Sequence, residues 1–456
     1  MSSKSTLPLI AHRRLDAVVA WRGNAPVSAG QFLAEVEHVA AQLPPGRHVL
    51  NLCGDRYRFT VALAACIVSG RTSLLPSTHT PEMVRQMQRI APDVFSITDQ
   101  EAAAKGVDLP CFRYPESMPL PAATPAVPDI DREQVVALVF TSGSTGAPVP
   151  HVKRWASLVR NVRAEAERLG IGAAHAVLGT VPPQHMYGLE STVLMPLQSG
   201  AALHAGHPFY PADICAALAS LPRPRVLVTT PYHLRALLND QATLPAVDQL
   251  LSATAPLSQE LALEAENRFG APLHEIYGCT ETGQIASRRT CASAEWQTLP
   301  DVRLRSEGQT IWAEGGHIDS PTRLNDVIEP TGDGPEWTTF LLHGRHADLV
   351  NIAGKRTSLA YLNHQLNAIP GVQDGVFLLP AEDGPQGIGR LTALVVAPGL
   401  TAAALTRALR ERIDPLFLPR PLLFVDALPR NATGKLPNQS ALDLLAALQA
   451  ESGVPA

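Results

Sequence analysis

Short runs of hydrophobic residues alternate along the chain with segments whose apolar positions recur at helical spacing. The clearest runs cover residues 49–52, 135–140 and 225–229. The first predicts a short strand, and the other two are β-prone, which is typical of strands buried on both faces. Between them, residues 59–68 predict an apolar helix that ends before Gly70, and Thr80 followed by Pro81 marks the start of another helix. This alternation predicts an α/β fold with largely parallel strands.

The pattern restarts with shorter units after residue 344. The predicted units are helices at 358–366 and 400–413 and strands at 372–379 and 391–396. Upstream of them, segments rich in proline or glycine at 113–130 and 329–335 predict loops. We therefore expect a large N-terminal domain of layered α/β subdomains, followed by a small C-terminal α/β domain of about 110 residues.

The composition narrows the classes of function. The chain has 456 residues, of which 45% are hydrophobic and 17% charged, with a net charge of -5. It is therefore neither disordered nor basic enough to suggest a nucleic-acid partner. No apolar run approaches the roughly 18 residues of a membrane-spanning helix. The six cysteines form no CxxC pair, which favours reduced thiols in the cytoplasm over a disulfide framework or a zinc site.

A glycine-rich loop follows the predicted strand at 135–140. It carries Ser142, Gly143, Ser144, Thr145 and Gly146. The glycines let the backbone come close to a ligand, and successive backbone N–H groups with three hydroxyls can cradle a phosphate. The loop lacks the GxxxxGK[ST] and GxGxxG patterns of common nucleotide-binding motifs. Taken alone, it is either a phosphate cradle or an ordinary Ser/Gly turn.

Three further segments follow this loop in a characteristic order. They are YGCTE at 277–281, GRHAD at 344–348 and PRNATGK at 429–435. Together the four segments resemble the adenylate-forming superfamily, which includes acyl- and aryl-CoA ligases, nonribosomal-peptide adenylation domains and luciferases. The resemblance covers essentially the whole chain. It implies that ATP and a carboxylic acid form an acyl-adenylate and pyrophosphate, after which a thiol displaces AMP.

The resemblance also assigns nucleotide contacts. It implies phosphate contacts from Ser142, Gly143, Ser144, Thr145 and Gly146, adenine contacts from Thr254, Ala255, Pro256, Glu275 and Tyr277, and ribose contacts from Asp326 and Arg345. Glu281 would bind Mg²⁺, and the Thr280 hydroxyl would touch the α-phosphate. Lys435 would bridge the attacking carboxylate and the α-phosphate, since a flexible point charge suits a moving negative charge. The catalytic residues would thus be Lys435, Thr280 and Glu281.

One position departs from the family pattern, and the assignment of the ribose-binding acid remains open between two residues. The family usually has a lysine directly after the proline of the glycine-rich loop, where this chain has Val149. Lys153 is the candidate replacement, provided that the loop bends back toward the phosphates. For the ribose acid, Asp326 has the better spacing to Gly344, whereas Asp333 belongs to a tripeptide that spells the family motif more literally.

The acid pocket is expected around residues 181–190. By the same resemblance its lining would include His185, Tyr187, Tyr232 and Gly278. Rings and a histidine suit a flat aromatic acid with a polar ring substituent. The alternative for His185 is a gate over the site or a core histidine whose hydrogen bonds are satisfied.

The resemblance finally implies domain motion and a thiol acceptor. Residues 1–343 would form the adenylation core, 344–348 the hinge with Ala347 and Asp348 at its centre, and 349–456 a mobile C-terminal domain. The residues of these motifs most resemble those of ligases from xanthomonadin and aryl-polyene pigment pathways. Those ligases load hydroxybenzoate-like acids onto an acyl carrier protein. CoA is the alternative acceptor. A nucleotide-binding homologue without catalysis is a distant alternative, and the lack of a GxSxG elbow disfavours a serine hydrolase.

Overall fold

The computed structural model describes residues 6–76, 79–100, 108–115, 126–142, 148–239, 243–308, 310–332, 334–345, 349–352, 355–380, 391–431 and 434–452. Within these ranges the strands form six sheets, of which the two largest have six and eleven strands. No helix in these ranges combines the length and apolar character needed to cross a membrane. The mixed architecture confirms the predicted α/β class.

The first part of the chain builds a two-stranded sheet and the six-stranded sheet, and it supplies two strands of the eleven-stranded sheet. The strands are β1 (Thr6–Pro8), β2 (Val18–Arg22), β3 (Ala25–Ser28), β4 (His48–Asn51), β5 (Thr72–Leu75), β6 (Phe95–Thr98), β7 (Cys111–Arg113), β8 (Asp129–Asp131), β9 (Val135–Ser142) and β10 (Pro148–Arg154), and the helices are α1 (Ala29–Gln42), α2 (Arg56–Val68) and α3 (Pro81–Ile90). Strands β9, β5, β4, β6 and β7 pair in parallel, and β10 closes one edge as an antiparallel neighbour of β9. The Thr80 side chain accepts a hydrogen bond from the Met83 amide, which confirms the predicted helix start.

The middle of the chain builds the second large sheet and a four-stranded sheet. The strands are β11 (Ala176–Gly179), β12 (Ala202–His204), β13 (Arg225–Thr229), β14 (Gln249–Ser252), β15 (Leu273–Cys279), β16 (Gly283–Arg288), β17 (Trp296–Thr298), β18 (Val302–Glu307), β19 (Thr310–Gly315), β20 (Thr322–Leu324), β21 (Asp326–Pro330), β22 (Glu336–Trp337) and β23 (Thr339–Arg345). The helices are α4 (Trp155–Leu169), α5 (Met186–Gly188), a π-helix (Leu189–Leu194), α6 (Met195–Ser199), α7 (Pro211–Ser220), α8 (Pro231–Asn239) and α9 (Gln259–Phe269).

The eleven-stranded sheet changes direction along its width. Its order is β21-β23-β17-β16-β15-β14-β13-β11-β12-β2-β3. The strands from β15 to β2 pair in parallel, whereas β16, β17, β23 and β21 are antiparallel to their neighbours. Ligands of open α/β sheets bind beyond the carboxyl ends of parallel strands, so β11, β13, β14 and β15 mark the edge where a site is expected.

The C-terminal segment has its own sheets and hydrophobic cores. Its strands are β24 (Leu349–Ile352), β25 (Lys355–Ser358), β26 (Asp374–Leu378), β27 (Thr392–Val396) and β28 (Leu422–Phe424), its α-helices are α10 (Leu359–Asn367), α11 (Ala402–Arg410) and α12 (Asn438–Ser452), and a 3₁₀ turn spans Pro415–Phe417. Side chains on β26 and β27 alternate between two cores. Phe377 packs with α10 and α11 on one face, whereas Leu378 packs with α12 on the other. The segment therefore has the small α/β architecture that the sequence predicted.

Candidate active site

Four parallel strands bring polar residues to one edge of the large sheet. Thr180 follows β11, Thr229 ends β13, Ser252 ends β14, and Tyr277 lies near the end of β15. Thr180 and Thr229 are in contact, with their hydroxyl oxygens 3.0 Å apart. The carboxyl edge of the sheet is thus the floor of the candidate site.

The hairpin of β9 and β10 borders this edge. Gly143, Ser144, Thr145 and Gly146, which were predicted to cradle phosphates, lie outside the described residues, and Ser142 is described only as the last residue of β9. Beside them, the Thr141 hydroxyl and the His151 Nε2 atom are 2.9 Å apart across the two strands. Val149 pairs with Thr141 in the strand register and is 45% exposed, so the position of the family's lysine faces solvent.

Glu281 lies in the turn that follows β15 and faces the hairpin. One of its carboxylate oxygens is 3.9 Å from His151 Nε2, and the side chain is partly exposed. Burial would raise the pKa of Glu281, but hydrogen bonds from its own backbone and from Cys279, with the fields of His151 and Lys153, hold the pKa below its usual range. An ionised, accessible carboxylate beside the Thr280 hydroxyl fits a hard cation such as Mg²⁺.

Lys153 lies beneath the same turn. Its ammonium donates hydrogen bonds to the carbonyls of Thr280 and Glu281, the second at 3.2 Å, and the residue is only 6% exposed. Burial lowers the pKa of Lys153, whereas nearby carboxylates, Glu190 first among them, oppose that shift. The side chain points into the protein and not over the rim of the hairpin, so the geometry does not support the idea that it bends back onto the phosphates.

The predicted adenine and ribose residues are joined directly. The Tyr277 hydroxyl donates to a carboxylate oxygen of Asp326 at 2.7 Å. Asp326 in turn is the strand partner of Arg345 in the register of β21 and β23. The rival acid, Asp333, lies outside the described residues. A side-chain hydrogen bond thus joins Tyr277 to Asp326, and Asp326 lies beside the backbone of Arg345 on the neighbouring strand.

Glu275 has a different surrounding from the one that was predicted. Its carboxylate is buried and accepts hydrogen bonds from Arg288, from Thr290 and from the Leu257 amide. Burial raises the pKa of Glu275, and the charge of Arg288 opposes this. With both oxygens engaged inside the protein, Glu275 is placed to brace the loop before Leu257, and the geometry does not support a contact with the adenine amino group.

The loop between β14 and α9 is strained at one residue. Thr254 has a φ of +79°, a conformation that is rare for a β-branched residue and costs on the order of 1–3 kcal/mol. The flanking Ala253 is buried, whereas Pro256 is exposed. Thr254, Ala255 and Pro256, the predicted adenine contacts, therefore form an exposed turn at the carboxyl edge of the sheet.

Histidines line the neighbouring edge between β11 and β13. His233 is fully buried, with its Nδ1 atom 2.9 Å from the Thr230 hydroxyl, and His207 Nε2 is 3.1 Å from the Thr180 carbonyl. Burial lowers the pKa of both His233 and His207 to about 4. Burial likewise lowers the pKa of His185 to about 4, and the neighbouring His79 and Lys435 act in the same direction. These imidazoles are therefore neutral at physiological pH.

Three of the predicted pocket residues have different surroundings in the structure. Tyr187 belongs to the large N-terminal core, and its buried hydroxyl has no hydrogen-bond partner among the described residues. Gly278 has no room for a side chain, because a Cβ atom there would lie 2.3 Å from the Gly283 carbonyl oxygen. Tyr232 is 40% exposed and lies against the C-terminal domain. Tyr187 is thus a core residue in this structure, and Tyr232 belongs to an interface as much as to a pocket wall.

The turn before Lys435 is packed against the N-terminal domain. Gly434 has a φ of +75°, and a Cβ atom there would lie 2.7 Å from the Tyr232 Cβ atom. The turn is held by Arg430, which donates to the Gly434 carbonyl and to both carboxylate oxygens of Asp374. The turn that carries Lys435 therefore lies against Tyr232, and the charge of Lys435 contributes to the lowered pKa of His185. The hinge residues Ala347 and Asp348 lie outside the described residues.

Sequence reasoning did not identify several polar residues of this region. Asn161 and Glu165 on α4, with Glu190 and Ser191 on the π-helix, form a buried network next to Lys153. A cavity of about 270 Å³ adjoins this network and is lined in part by Lys153, Glu190 and Glu281. Polar residues inside apolar helical segments were the available signal, but helical spacing alone does not tell a buried polar face from a solvated one.

Comparison with known proteins points to one family. A model of the AMP-binding enzyme family matches residues 10–318. A 4-coumarate–CoA ligase of Rhodobacter capsulatus is 32% identical over 314 residues, which cover 67% of this chain and 76% of that protein. A 3-hydroxybenzoate–CoA/4-hydroxybenzoate–CoA ligase of Thauera aromatica is 26% identical over 369 residues, covering 72% and 69% of the two chains.

Solved structures share the fold. ATP-bound MatB from Rhodopseudomonas palustris superposes with a TM-score of 0.79 at 19% identity, with 96% of each chain covered. The anthranilate CoA ligase AuaEII, in complex with anthranoyl-AMP, superposes with a TM-score of 0.78 at 16% identity, with 98% of this chain and 99% of that chain covered. At these identities the likeness concerns the fold, including its large and small domains.

Proposed function

The chain belongs to the AMP-binding enzyme family, and from that membership we propose that it is an ATP-dependent ligase that activates an aromatic carboxylic acid as its acyl-adenylate and transfers the acyl group to coenzyme A. The observation that carries this proposal is the position of Lys435. Its turn packs on Tyr232, and its charge acts on His185 in the cleft. A cation at this place can pair with a carboxylate that approaches a nucleotide triphosphate.

The first half-reaction joins two anions. A carboxylate oxygen of the acid attacks the α-phosphorus of ATP, the bond from that phosphorus to the bridging oxygen breaks, and pyrophosphate leaves with the electron pair. Repulsion between the reactants is the main obstacle, so positive groups that are already in place lower the barrier most. Lys435 supplies one such charge. Mg²⁺, when bound, would neutralise phosphate charge, and Glu281 is the residue that would hold it, with Thr280 beside it.

The nucleoside would lie between the strained turn at Thr254 and the pair formed by Tyr277 and Asp326. The carboxylate of Asp326 can accept from ribose hydroxyls while the Tyr277 hydroxyl fixes its orientation. The exposed turn that includes Ala255 and Pro256 offers small side chains against which a flat base can pack. Asp326 is accordingly our choice over Asp333 as the ribose ligand.

The proposed acid is aromatic and of the hydroxybenzoate or hydroxycinnamate type. The relatives named above act on coumarate and on hydroxybenzoates. In this chain the edge beyond β11 and β13 carries neutral His185, His207 and His233, with the ring of Phe209 edge-on to His233 at a centroid distance of 5.0 Å. Neutral imidazoles tolerate an apolar ring and can still exchange hydrogen bonds with a ring substituent.

The acceptor thiol is proposed to be that of coenzyme A. In the second half-reaction the thiol loses its proton, its sulfur attacks the acyl carbon, and AMP leaves with the electron pair of the broken carbon–oxygen bond. The resemblance of the motifs to pigment-pathway ligases favoured an acyl carrier protein, but the similar proteins named above are CoA ligases. Coenzyme A is therefore the better supported acceptor. We further propose that residues 344–348 act as the hinge through which Lys435 withdraws before this step.

The test separates the two half-reactions. The purified enzyme is incubated with Mg·ATP and a panel of benzoates, hydroxybenzoates and cinnamates, and pyrophosphate release with hydroxylamine as trap reports adenylation. Active acids are then offered coenzyme A or a holo acyl carrier protein, and the thioester is identified by mass. Thioester on coenzyme A supports the proposal. Thioester on the carrier alone would replace the acceptor, and AMP binding without pyrophosphate release from any acid would contradict the enzymatic function.

A further inference from the structure

We propose that Lys153 is a positioning residue that fixes the Thr280–Glu281 turn from beneath, so that the carboxylate of Glu281 is oriented by a lysine inside the protein. The catalytic consequence of this role rests on the proposed function. The structural part of the proposal concerns the turn itself and can be tested without substrate.

The strand geometry separates Lys153 from the place of the family's lysine. Val149, His151 and Lys153 alternate along β10 and share one face of that strand. Four residues of extended chain span about 13 Å. Val149 is exposed at the rim, His151 contacts Thr141, and Lys153 is buried at the inner end. The ammonium of Lys153 therefore contacts the buried side of the Thr280–Glu281 turn and does not reach the rim of the hairpin.

The contacts of Lys153 constrain two consecutive peptide groups. Its ammonium donates to the carbonyls of Thr280 and of Glu281. Fixing two successive carbonyls restricts the backbone torsions of Glu281, and these torsions decide where its carboxylate points. Any rotation of the turn that moves Glu281 costs free energy, because it would take these carbonyl acceptors away from the buried ammonium of Lys153.

The charge environment favours the same placement. The nearby acids that act on Lys153 include Glu190, Glu281 and Asp319. Glu190 is buried, and the Asn161 side chain donates to it at 2.5 Å. A buried ammonium is tolerated when it has carbonyl acceptors and neighbouring negative charge. The turn, the lysine and Glu190 thus form one unit that spans β10, the end of β15 and the π-helix.

The direct test is hydrogen exchange by mass spectrometry on the full chain without ligands. In Lys153→Met, amides in peptides covering residues 280–283 should exchange roughly tenfold faster, because the turn loses both hydrogen bonds that its carbonyls accept from Lys153. Arg154→Met is the matched control. Arg154 is the next residue, but its guanidinium donates to the Glu133 carbonyl, so exchange at 280–283 should be unchanged. Equal exchange in Lys153→Met and in the wild type would overturn the proposal.

A second variant covers the case in which Lys153→Met does not fold. Removing the lysine alone leaves the buried Glu190 carboxyl group without its cationic neighbour, whereas Lys153→Met with Glu190→Gln removes both titratable groups. The double variant should fold and should still show the faster exchange at 280–283. If residues 280–283 exchanged as slowly in the double variant as in Glu190→Gln alone, the proposal would be overturned.

A kinetic test distinguishes positioning from direct phosphate binding. Lys153→Met should raise the KM for Mg·ATP and the Mg²⁺ concentration needed for half-maximal rate, each by roughly tenfold, while AMP binding measured without metal stays unchanged. Adding Val149→Lys restores a lysine at the rim and should not recover the lost affinity. Recovery would show that Lys153 acts on the phosphates and would overturn the proposal. If the wild type activates no acid, the proposed function fails, and the exchange experiment still decides the role of Lys153.

Discussion

The Tyr277 hydroxyl donates to the Asp326 carboxylate at 2.7 Å, and this bond ties β15 to β21. The Tyr277 ring also packs against Trp296 and Phe340, at centroid distances of 5.7 and 5.8 Å. The tyrosine is therefore held on its core side by aromatic contacts and at its tip by the carboxylate. The two residues expected to contact adenine and ribose form a single preorganised element.

Replacing Tyr277 with phenylalanine should weaken nucleotide binding selectively. The variant keeps the aromatic packing but leaves Asp326 without the donor that orients it, and a hydrogen bond to a charged group contributes about 1.5–3 kcal/mol. We expect the KM for ATP to rise about tenfold with little change in kcat, measured by pyrophosphate release. Tyr361→Phe is the control, because that hydroxyl donates to the Arg412 carbonyl in the C-terminal domain. An unchanged KM for ATP in Tyr277→Phe would separate Asp326 from the nucleotide site.

Glu165 is a buried acid with one satisfied oxygen. The Ser191 hydroxyl donates to Oε1 at 2.6 Å, whereas Oε2 has no hydrogen-bond partner among the described residues. Burial raises the pKa of Glu165 to about 7. Between its unfolded pKa of about 4.3 and that raised value, the folded protein binds a proton that the unfolded chain has lost. Glu165 therefore lowers stability as pH rises through this window.

Glu165→Gln should remove this pH dependence. The amide cannot ionise, so the free energy of unfolding of the variant, relative to the wild type, should increase from about pH 4.5 to pH 7 at a slope of up to ~1.4 kcal/mol per pH unit. The difference should then stay constant above pH 8. Urea titrations of both proteins at five pH values measure it, with Glu167→Gln as a control on the exposed face of the same helix. A difference that does not change with pH would mean that Glu165 is ionised in the folded protein.

Much of the fold could be predicted because its signals are local. Residues 225–229 were predicted as a strand and form β13 with the same ends, and Thr80 caps the helix that it was expected to start. Such features depend on hydrophobic runs and capping side chains, which neighbouring residues encode. The order of the four motifs likewise indicated the family that the match over residues 10–318 confirms.

The surroundings of individual site residues could not be predicted in the same way. Glu275 was expected at the adenine, yet its carboxylate is paired with Arg288 from the next strand, and Tyr187 was expected in the pocket, yet it lies in the core. Lys153 was considered for the phosphates and lies beneath the Glu281 turn. In each case the decisive partner is distant in sequence or depends on the direction of a side chain, and residue spacing carries no record of either.

Thr254→Gly tests the strain in the turn after β14. Thr254 has a φ of +79°, which glycine adopts without steric cost. After allowance for the greater freedom of glycine in the unfolded chain, the variant should be more stable by about 1 kcal/mol in urea unfolding. Asp301→Gly is the matched control, since Asp301 has a φ of +62° but aspartate tolerates that region, and little change is expected. A loss of stability in Thr254→Gly would mean that contacts of the threonine side chain outweigh its backbone strain.

Lys435→Ala should separate the two half-reactions. The turn at Gly434 sets the residue against Tyr232, and its charge acts at His185, so its removal should slow acyl-adenylate formation by about 10²–10³-fold. Thioester formation from pre-made acyl-adenylate should change little, because the repulsion between carboxylate and triphosphate is absent from that step. Pyrophosphate release measures the first half-reaction, and single-turnover thioester formation measures the second. Arg407→Ala, an exposed cation of the same domain, should leave both rates unchanged. Equal loss of both half-reactions in Lys435→Ala would assign Lys435 to the stability of the domain interface and not to the attacking carboxylate.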